Sequence, residues 1–233
     1  MNNLAIIPAR SSSKGLKNKN IKELNGKPLM AYTIESALLC KQFNTVMVST
    51  DSEQYKTIAQ KYGAEVPFLR SKDASSDMAS SWTAVLEVLN SYWELGRVYD
   101  TVCLLQPTSP LRRPDDITNA YKIFEEKKAD AVTSVCEVDH SPLWNMKLSE
   151  DLSMLNFRKM NQHDLRRQQL DKYYRLNGAI YIRAISYKNN VIELLDSKEY
   201  AYIMSRKNSI DIDSIDDFEY AEYRIKNVNI EDV

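Results

Sequence analysis

Three short apolar runs recur along this 233-residue chain, and a segment with helical spacing follows each of them. The runs are Leu4–Pro8, Thr45–Ser49 and Thr101–Leu105. Strands that are apolar along almost their whole length are typical of a parallel sheet that helices cover on both faces. The pattern therefore predicts an α/β fold with a mostly parallel central sheet, and the chain is long enough for one such domain with a substantial core.

The remaining periodicity predicts further elements and one interruption. Helices are predicted at Leu29–Leu38, Glu53–Tyr62 (closed by Gly63), Ser80–Trp93, Asp115–Lys127, Tyr187–Leu195 and Ser214–Arg224, and strands at Val66–Leu69, Ala131–Val135, Ala179–Ile182 and Tyr200–Met204. Residues 137–172 show little periodicity. They are predicted to be an insertion in a domain made of residues 1–136 and 173–233, either functional or an arm that pairs with another subunit.

Charge and cysteine content exclude several classes of protein. Lys and Arg number 31 against 32 Asp and Glu, a formal charge of −1, so no global attraction to nucleic acid is expected. Cys40, Cys103 and Cys136 are odd in number and far apart, which argues against a disulfide framework or a zinc site. The start of the chain has no secretory signal pattern, and no apolar stretch approaches the roughly 18 residues of a membrane span. We therefore expect a cytoplasmic location, with no membrane partner.

The first apolar run leads into a polar, basic loop, Pro8-Ala9-Arg10-Ser11-Ser12-Ser13-Lys14-Gly15, with more cations at Lys17, Lys19 and Lys22. Backbone amides, hydroxyls and cations together at the end of a strand suit a triphosphate, because each oxygen needs a donor and the charge needs neutralising. The loop has neither the G-x-G-x-x-G spacing nor the G-K-[ST] ending of the commonest phosphate motifs. A solvated basic surface loop is the alternative.

A second loop, Gln106–Arg112, follows the third apolar run. Ligands of open parallel sheets bind at the carboxyl ends of the strands, so both loops should face one crevice. Gln106, Thr108 and Ser109 offer uncharged hydrogen bonds of the kind that a sugar or a base needs. The alternative is a proline-stiffened turn that serves packing alone.

Acidic residues are concentrated in the segment Ser209–Ser214. On an extended strand Asp211 and Asp213 project to the same face, about 7 Å apart, and would repel each other without a nearby cation. Mg²⁺, or Mn²⁺ in its place, would supply that cation and bridge to substrate phosphates. Alternatively, Asp213 or Ser214 only caps the final helix. Asp51 is predicted to cap the helix that follows it.

Cations lie beside amides and a phenol in Arg166–Leu170 and Arg175–Tyr181. Arginine is the natural receptor for a carboxylate, and Gln, Asn and Tyr side chains can orient hydroxyl groups around it. A solvated charge run remains the alternative at Arg166.

In this order the motifs closely resemble the acylneuraminate cytidylyltransferase family, whose members make CMP-sialic acid. The matching set is Ile7-Pro8-Ala9-Arg10-x-x-Ser13-Lys14-Gly15, Lys19-Asn20, Gln106-Pro107-Thr108-Ser109-Pro110-Leu111-Arg112, Arg167-Gln168-Gln169, Arg175-x-Asn177-Gly178-Ala179-Ile180-Tyr181 and Ser209-Ile210-Asp211-Ile212-Asp213. The family's usual small residue after the motif arginine is replaced by Ser11-Ser12, and its proline by Lys17. We expect these departures to change loop stiffness and to leave binding intact.

The resemblance implies a Rossmann-like three-layer nucleotidyltransferase fold with a small dimerisation subdomain, a homodimer, and CTP and a nine-carbon 2-keto sugar acid as substrates. The arm around Arg166–Gln169 would reach into the partner subunit's site. Residue by residue, the resemblance implies nucleotide contacts at Arg10, Lys14, Lys19, Asn20, Arg70, Ala79 and Ser81; sugar-acid contacts at Gln106, Arg167, Gln168, Arg175, Asn177 and Tyr181; and metal ligation at Asp211 and Asp213.

The expected reaction is attack of the acid's anomeric hydroxyl on the α-phosphorus of CTP. Arg10 and Lys14 would stabilise the leaving pyrophosphate, and Asp211 would accept the hydroxyl proton directly or through water. One alternative is a cytidylyltransferase for legionaminate, pseudaminate or the eight-carbon acid Kdo. An alternative of another class is a non-catalytic module that binds nucleotide sugars.

Overall fold

A computed structural model describes residues 1–12, 16–75, 80–154 and 170–231. Its strands are β1 (Asn3–Pro8), β2 (Glu23–Leu24), β3 (Lys27–Pro28), β4 (Thr45–Ser49), β5 (Thr101–Leu104), β6 (Ala131–Glu137), β7 (Tyr174–Lys188), β8 (Val191–Leu194) and β9 (Glu199–Ile203). Its α-helices are α1 (Leu29–Leu39), α2 (Glu53–Lys61), α3 (Ser81–Glu94), α4 (Pro114–Glu126) and α5 (Ile215–Glu231), with short 3₁₀ turns at Lys19–Ile21, Pro142–Trp144 and Arg206–Asn208.

The central sheet has the strand order β4-β1-β5-β7-β6-β9, and β8 pairs with β7 outside this path. β1 is parallel to β4 and β5, and β6 is parallel to β9. β7 is antiparallel to both of its neighbours, so β4, β1, β5, β6 and β9 all run in one direction. The predicted α/β fold with a mostly parallel sheet is therefore confirmed, with one reversed strand that the sequence pattern did not indicate.

Alternate residues of β1 serve two separate apolar clusters. Ala5 and Ile7 pack with Met30 and Ile34 of α1, whereas Leu4 and Ile6 pack on the other side of the sheet. Val85, Val88 and Leu89 of α3 complete that second cluster. Helices therefore cover both faces of this part of the sheet, giving three layers, and the burial of each large apolar side chain contributes on the order of 2 kcal/mol.

Short polar residues fix where the helices begin. Ser52 and Ser80 accept hydrogen bonds from the backbone amides of Tyr55 and Thr83, which caps α2 and α3. The cap predicted at Asp51 is therefore wrong by one residue. The Asp51 carboxylate instead accepts from the amide of Ser11 at 2.7 Å and from its hydroxyl at 3.1 Å, and so holds the loop after β1.

Two predicted elements are absent. Residues 66–69 form no strand, and only Glu65 bridges to Met47. The helix predicted at residues 187–195 is a hairpin between β7 and β8, turned by Asn189 and Asn190 with φ of 50° and 59°. Asparagine tolerates this left-handed conformation, which suits a two-residue hairpin loop. The predicted helix is therefore wrong, because the apolar residues of this segment belong to two paired strands.

The two ends of the predicted insertion lie side by side. The Val138 amide donates to the Tyr173 carbonyl at 3.0 Å, so the chain leaves and re-enters the sheet at one place. Residues 155–169 fall outside the described part of the chain, and the domain division stays a prediction. All three cysteines are unpaired and buried, as expected. No helix in the described ranges has both the length and the apolar character needed to cross a bilayer.

Candidate functional site

The loops that follow β1 and β5 meet the segment before α5 at one edge of the sheet. The Ala9 amide donates to the Ser49 carbonyl at the end of β4, at 2.9 Å. The Ile212 amide donates to the Thr108 carbonyl in the loop after β5, at 2.8 Å. Because β7 runs against β5, its first residues reach the same edge, with Tyr181 paired to Leu104. The motifs predicted to share a crevice therefore do converge.

A direct contact joins the basic opening of the chain to its acidic segment near the end. Lys19 donates from Nζ to the Ile212 carbonyl at 2.6 Å and to Oδ1 of Asp213 at 3.2 Å. The Lys19 side chain is 13% exposed and the Asp213 side chain 80% exposed. The predicted juxtaposition of cations and carboxylates is thus present, although the roles predicted for these residues are not tested by it.

Asp211 and Gln106 approach each other over a glycine. Gly178 has φ of +74°, and a Cβ atom added there would lie 3.1 Å from Oε1 of Gln106 and 3.3 Å from Oδ2 of Asp211. Such a conformation and such close neighbours suit only glycine. Gly178 therefore lets a carboxylate and an amide come together at the point where β7 enters the sheet.

Burial is the main cause of a raised pKa at Asp211. The charge of Asp213 raises this pKa further, whereas the nearby Thr108 hydroxyl, Lys19 and Arg175 lower it. Oδ1 of Asp211 is buried and has no hydrogen-bond partner among the residues that the structure describes. A carboxylate in this state is a stronger base than an ordinary exposed aspartate.

Helix α5 is capped without the Asp213 carboxylate. Ser214 and Asp217 bond reciprocally: the Ser214 amide donates to Asp217 at 2.8 Å, and the Asp217 amide donates to the Ser214 hydroxyl at 3.2 Å. The alternative prediction that Ser214 caps the final helix is therefore confirmed. The Asp213 carboxylate takes no part in this cap. Within the described ranges no group of three or more His, Cys, Asp or Glu side chains could hold a metal ion. Two carboxylates, one with an unsatisfied buried oxygen, fit an ion that takes its other ligands from a phosphate.

On the side of β1 and β4, two predicted nucleotide-binding arginines are neighbours. Arg10 donates from Nη1 to the Ser75 carbonyl at 3.3 Å, and buried Asn20 supports this loop by donating to the Arg10 carbonyl at 3.1 Å. Arg70 binds the Ser49 hydroxyl and carbonyl at 2.9 and 2.8 Å. Burial lowers the pKa of Arg70; the charges of Asp51 and Glu87 oppose this shift, and the Arg10 charge adds to it.

The other predicted nucleotide contacts are only partly visible. Ser81 is exposed at the first residue of α3. Lys14 and Ala79 lie outside the described residues, as do Arg167 and Gln168 on the sugar-acid side.

Two predicted sugar-acid contacts lie beside Asp211. Arg175 is exposed, donates to the Ser209 carbonyl at 3.4 Å, and lines a cleft of about 770 Å³ together with Asp211 and Asp213. Tyr181 is half-buried, and burial raises the pKa of its phenol, with a smaller contribution from Asp211. Its ring meets Trp82 edge-on, with centroids 6.3 Å apart.

Asn177, another predicted sugar contact, is buried beside the site. Its side chain is 1% exposed and accepts a hydrogen bond from the Ser134 hydroxyl at 2.6 Å. Its amide nitrogen donates to the Ser209 hydroxyl at 2.9 Å and to Met204 Sδ. These bonds hold Ser209 and the main chain next to Gly178 in place, and the sugar contact at Asn177 stays a prediction.

Arg112 supports the main chain of the candidate site, a position that the motifs did not predict for it. It is 3% exposed, and its Nη1 donates to the carbonyls of Gln106 at 3.2 Å and Ala179 at 2.8 Å. Burial lowers its pKa to about 10. The guanidinium thus ties the loop after β5 to β7, next to Gly178. An arginine within an otherwise uncharged loop was the available signal.

Comparisons with known proteins agree with this geometry. The chain is 40% identical over 219 residues to an N-acylneuraminate cytidylyltransferase of Escherichia coli O18:K1:H7, which covers 94% of this chain and 51% of that protein. The chain therefore spans about half the length of that relative.

Other relatives are matched over almost their full length. A pseudaminic acid cytidylyltransferase of Campylobacter jejuni is 33% identical, with 97% of both proteins covered. A CMP-N,N'-diacetyllegionaminic acid synthase of Legionella pneumophila is also 33% identical, with 94% of both covered.

A solved CMP:2-keto-3-deoxy-manno-octonic acid synthetase complexed with CTP superposes with a TM-score of 0.71 over 98% of this chain and 100% of that one. At 15% identity this likeness supports the fold alone. The cytidylyltransferase family matches residues 4–228, nearly the whole chain. With relatives of at least 33% identity covered almost end to end, the chain belongs to the cytidylyltransferase family.

Proposed function

We propose that this chain transfers the cytidylyl group of CTP to the anomeric hydroxyl of N-acetylneuraminate and releases pyrophosphate. The observation that carries the proposal is the meeting of Lys19 with Asp213 beside Asp211 and Gln106. It sets cations from the start of the chain against carboxylates from near its end, around one opening at the sheet edge. Transfer at phosphorus needs positioning and charge neutralisation more than a covalent nucleophile.

Asp211 is the group best suited to take the proton of the attacking hydroxyl. The new bond joins the anomeric oxygen to the α-phosphorus, the bond from that phosphorus to the bridging oxygen of the β-phosphate breaks, and the hydroxyl proton goes to Asp211. The pKa of Asp211, raised by burial, makes proton acceptance more favourable than at an ordinary aspartate. Arg10, and Lys14 by the family resemblance, would balance the charge that builds up on pyrophosphate.

Asp211 and Asp213 would hold a divalent cation, for which Mg²⁺ or Mn²⁺ is suited. When bound, such an ion withdraws negative charge from the phosphate oxygens and so favours approach of an oxygen nucleophile. Lys19 keeps Asp213 oriented towards the site through their ion pair. Gln106, with its carbonyl held by Arg112, would orient the sugar acid.

The acceptor is the finer part of the proposal. The relative named for N-acylneuraminate is 40% identical to this chain, whereas the pseudaminic and legionaminic acid relatives are each 33% identical. This difference favours N-acetylneuraminate, and the related acids are the competing candidates. A homodimer whose arms complete each other's sites is part of the same proposal.

A pyrophosphate-release assay tests both levels of the proposal. Purified protein is given CTP and Mg²⁺ with N-acetylneuraminate, pseudaminate, N,N'-diacetyllegionaminate or Kdo, and the products are identified by mass. The highest kcat/KM is expected with N-acetylneuraminate. Preference for another acid would overturn the acceptor assignment, while no CMP-sugar from any acid would favour a non-catalytic binding module.

A further inference from the structure

A second cavity, of about 490 Å³, shares Tyr181 with the candidate site, and its other lining residues have no predicted contact with a substrate. Its walls come from four elements: Trp82 of α3, Tyr181 and Arg183 of β7, Thr133 of β6 and Glu199 of β9. Tyr181 follows Gly178 by three residues, which is about 10 Å along a strand. Trp82 directly follows Ser81, a predicted nucleotide contact. The cavity is thus lined by one predicted sugar-acid contact, Tyr181, and by the chain neighbour of a predicted nucleotide contact, Trp82.

The cavity combines an aromatic corner with a charged pair. Trp82 and Tyr181 meet at an interplanar angle of 84°. The Arg183 guanidinium lies over the Trp82 ring, 5.5 Å from its centroid, and its Nη1 is 3.3 Å from Oε2 of Glu199. The Thr133 hydroxyl donates to Oε1 of the same carboxylate. Donors and acceptors are thus fixed in position along a flat aromatic wall.

This arrangement suits a short carbon chain that carries hydroxyl groups. Each hydroxyl both donates and accepts, so a carboxylate beside a guanidinium can serve adjacent hydroxyls, while C–H groups pack on an aromatic face. A methyl group in the same place would leave the Arg183 and Glu199 pair partly desolvated without new partners. Such unpaired polar groups are what give a site its strongest discrimination between similar substrates.

We propose that this cavity is a specificity subsite that binds the hydroxylated chain of the nine-carbon acid, the part farthest from the anomeric carbon. The inference rests on the proposed function and names what selects its acceptor. Trp82, Arg183 and Glu199 are then specificity-determining residues. The cavity would favour N-acetylneuraminate over N,N'-diacetyllegionaminate, which carries an acetamido group and a methyl group where the first acid has hydroxyls.

The test compares the two acids in the full chain with Glu199→Gln, which keeps the side-chain volume and removes the charge. We expect kcat/KM for N-acetylneuraminate to fall about tenfold, mainly through KM for the acid. The value for N,N'-diacetyllegionaminate should change less than twofold, and KM for CTP should be unchanged. Glu193→Gln is the matched control, because Glu193 is exposed on β8, away from the cavity, and should alter neither acid.

A second variant guards against a general effect on folding. Trp82→Phe keeps an aromatic wall and should lower kcat/KM for N-acetylneuraminate two- to threefold, with an unchanged melting temperature. Equal losses for both acids, or a change in KM for CTP, would overturn the subsite and assign the cavity to packing or to a subunit contact. If the unaltered protein forms no CMP-sugar from any acid, the proposed function itself fails, so the two failures are distinguishable.

Discussion

The two halves of the central sheet are built differently, and the candidate site lies where they join. In β4, β1 and β5 all the strands are parallel, and nearly every residue is buried. In β7, β6 and β9 one strand is reversed, and exposed residues alternate along β9. Gln106 follows the last strand of the first half, and Gly178 belongs to the first strand of the second.

This difference separates the chemistry of the site into two sides. The first half supplies Arg10 and Arg70, cations that suit phosphates. The second half supplies Tyr181 and the cavity with Arg183 and Glu199, groups that suit a hydroxylated acceptor. Asp211 lies at the join, next to both Gln106 and Gly178. We therefore expect substitutions in the first half to change KM for CTP, those in the second to change KM for the acid, and those at the join to change kcat.

The largest effect is expected at the join, from Asp211→Asn. Loss of a proton acceptor and metal ligand should lower kcat by about 10³-fold, with KM for CTP changed little. Asp213→Asn is the comparison, because this exposed carboxylate keeps no proton-accepting role in the proposal, and about tenfold is expected. Pyrophosphate release with N-acetylneuraminate measures both. Equal losses would show that the two carboxylates act alike.

Gly178→Ala should have the next largest effect. Its added methyl group would meet Gln106 and Asp211, so a decrease in kcat of about 10²-fold is expected. Gly96→Ala is a matched control, because Gly96 has the same φ of +74° and nothing within 4 Å of an added Cβ. Both variants should lose about 1 kcal/mol of unfolding free energy to backbone strain, and only Gly178→Ala should lose activity. An active Gly178→Ala variant would show that the reaction does not depend on how Gln106 and Asp211 are arranged around Gly178.

Sequence patterns predicted the first half of the central sheet far better than the second half. The apolar runs at β1, β4 and β5 match the observed strands to within one residue, because buried parallel strands have a uniform composition that helices between them interrupt. β7 was predicted as four residues and spans 15, since Arg175, Asn177 and Arg183 interrupt its apolar pattern and its last two residues fall in the segment predicted as a helix. Its hairpin to β8 was not predicted, because the apolar residues on either side of Asn189 and Asn190 also fit the spacing of a helix.

The candidate site shows the same limit. The charge pattern predicted that the basic segment at the start of the chain would face the carboxylates near its end, and in the structure Lys19 and Asp213 meet there. It could not predict that Asn177 is buried under the site and Arg112 fixes its main chain, because burial depends on how β6, β7 and the β5 loop pack in three dimensions. Polar residue type alone does not distinguish a ligand contact from a buried positioning residue.

Arg70→Lys tests whether the first half of the central sheet binds the nucleotide. A lysine cannot reproduce the two hydrogen bonds that Arg70 makes to Ser49, so KM for CTP should rise about tenfold while KM for the acid stays constant. Arg97→Lys is the control in the same half, since Arg97 binds Glu65 and Thr45 away from the predicted nucleotide contacts. A rise in KM for the acid instead would contradict the division between the halves.

The smallest expected effect is on folding stability, and it concerns Asp211 at the join between the two halves of the sheet. Burial raises the pKa of Asp211 above its ordinary value of 3.8, so the folded protein binds this proton more tightly than the unfolded chain does. The stabilisation that this bound proton gives to the folded protein is therefore complete below the ordinary pKa of aspartate. It is lost as the pH rises through the pKa that Asp211 has in the folded protein. At pH 7 and without a divalent cation, the charged carboxylate opposes folding.

Asp211→Asn should consequently melt higher than the unaltered protein at pH 7, by about 2 °C, while losing its activity. The difference should shrink as the pH is lowered towards the ordinary aspartate range, because the unaltered carboxyl is then protonated in both states. Asp213→Asn loses the ion pair with Lys19 but also relieves the repulsion between Asp213 and Asp211, so these opposing effects should leave the melting temperature almost unchanged. Thermal unfolding followed by circular dichroism at several pH values measures this, and a lower melting temperature for Asp211→Asn at pH 7 would mean that Asp211 stabilises the join and is not held there at a cost to folding.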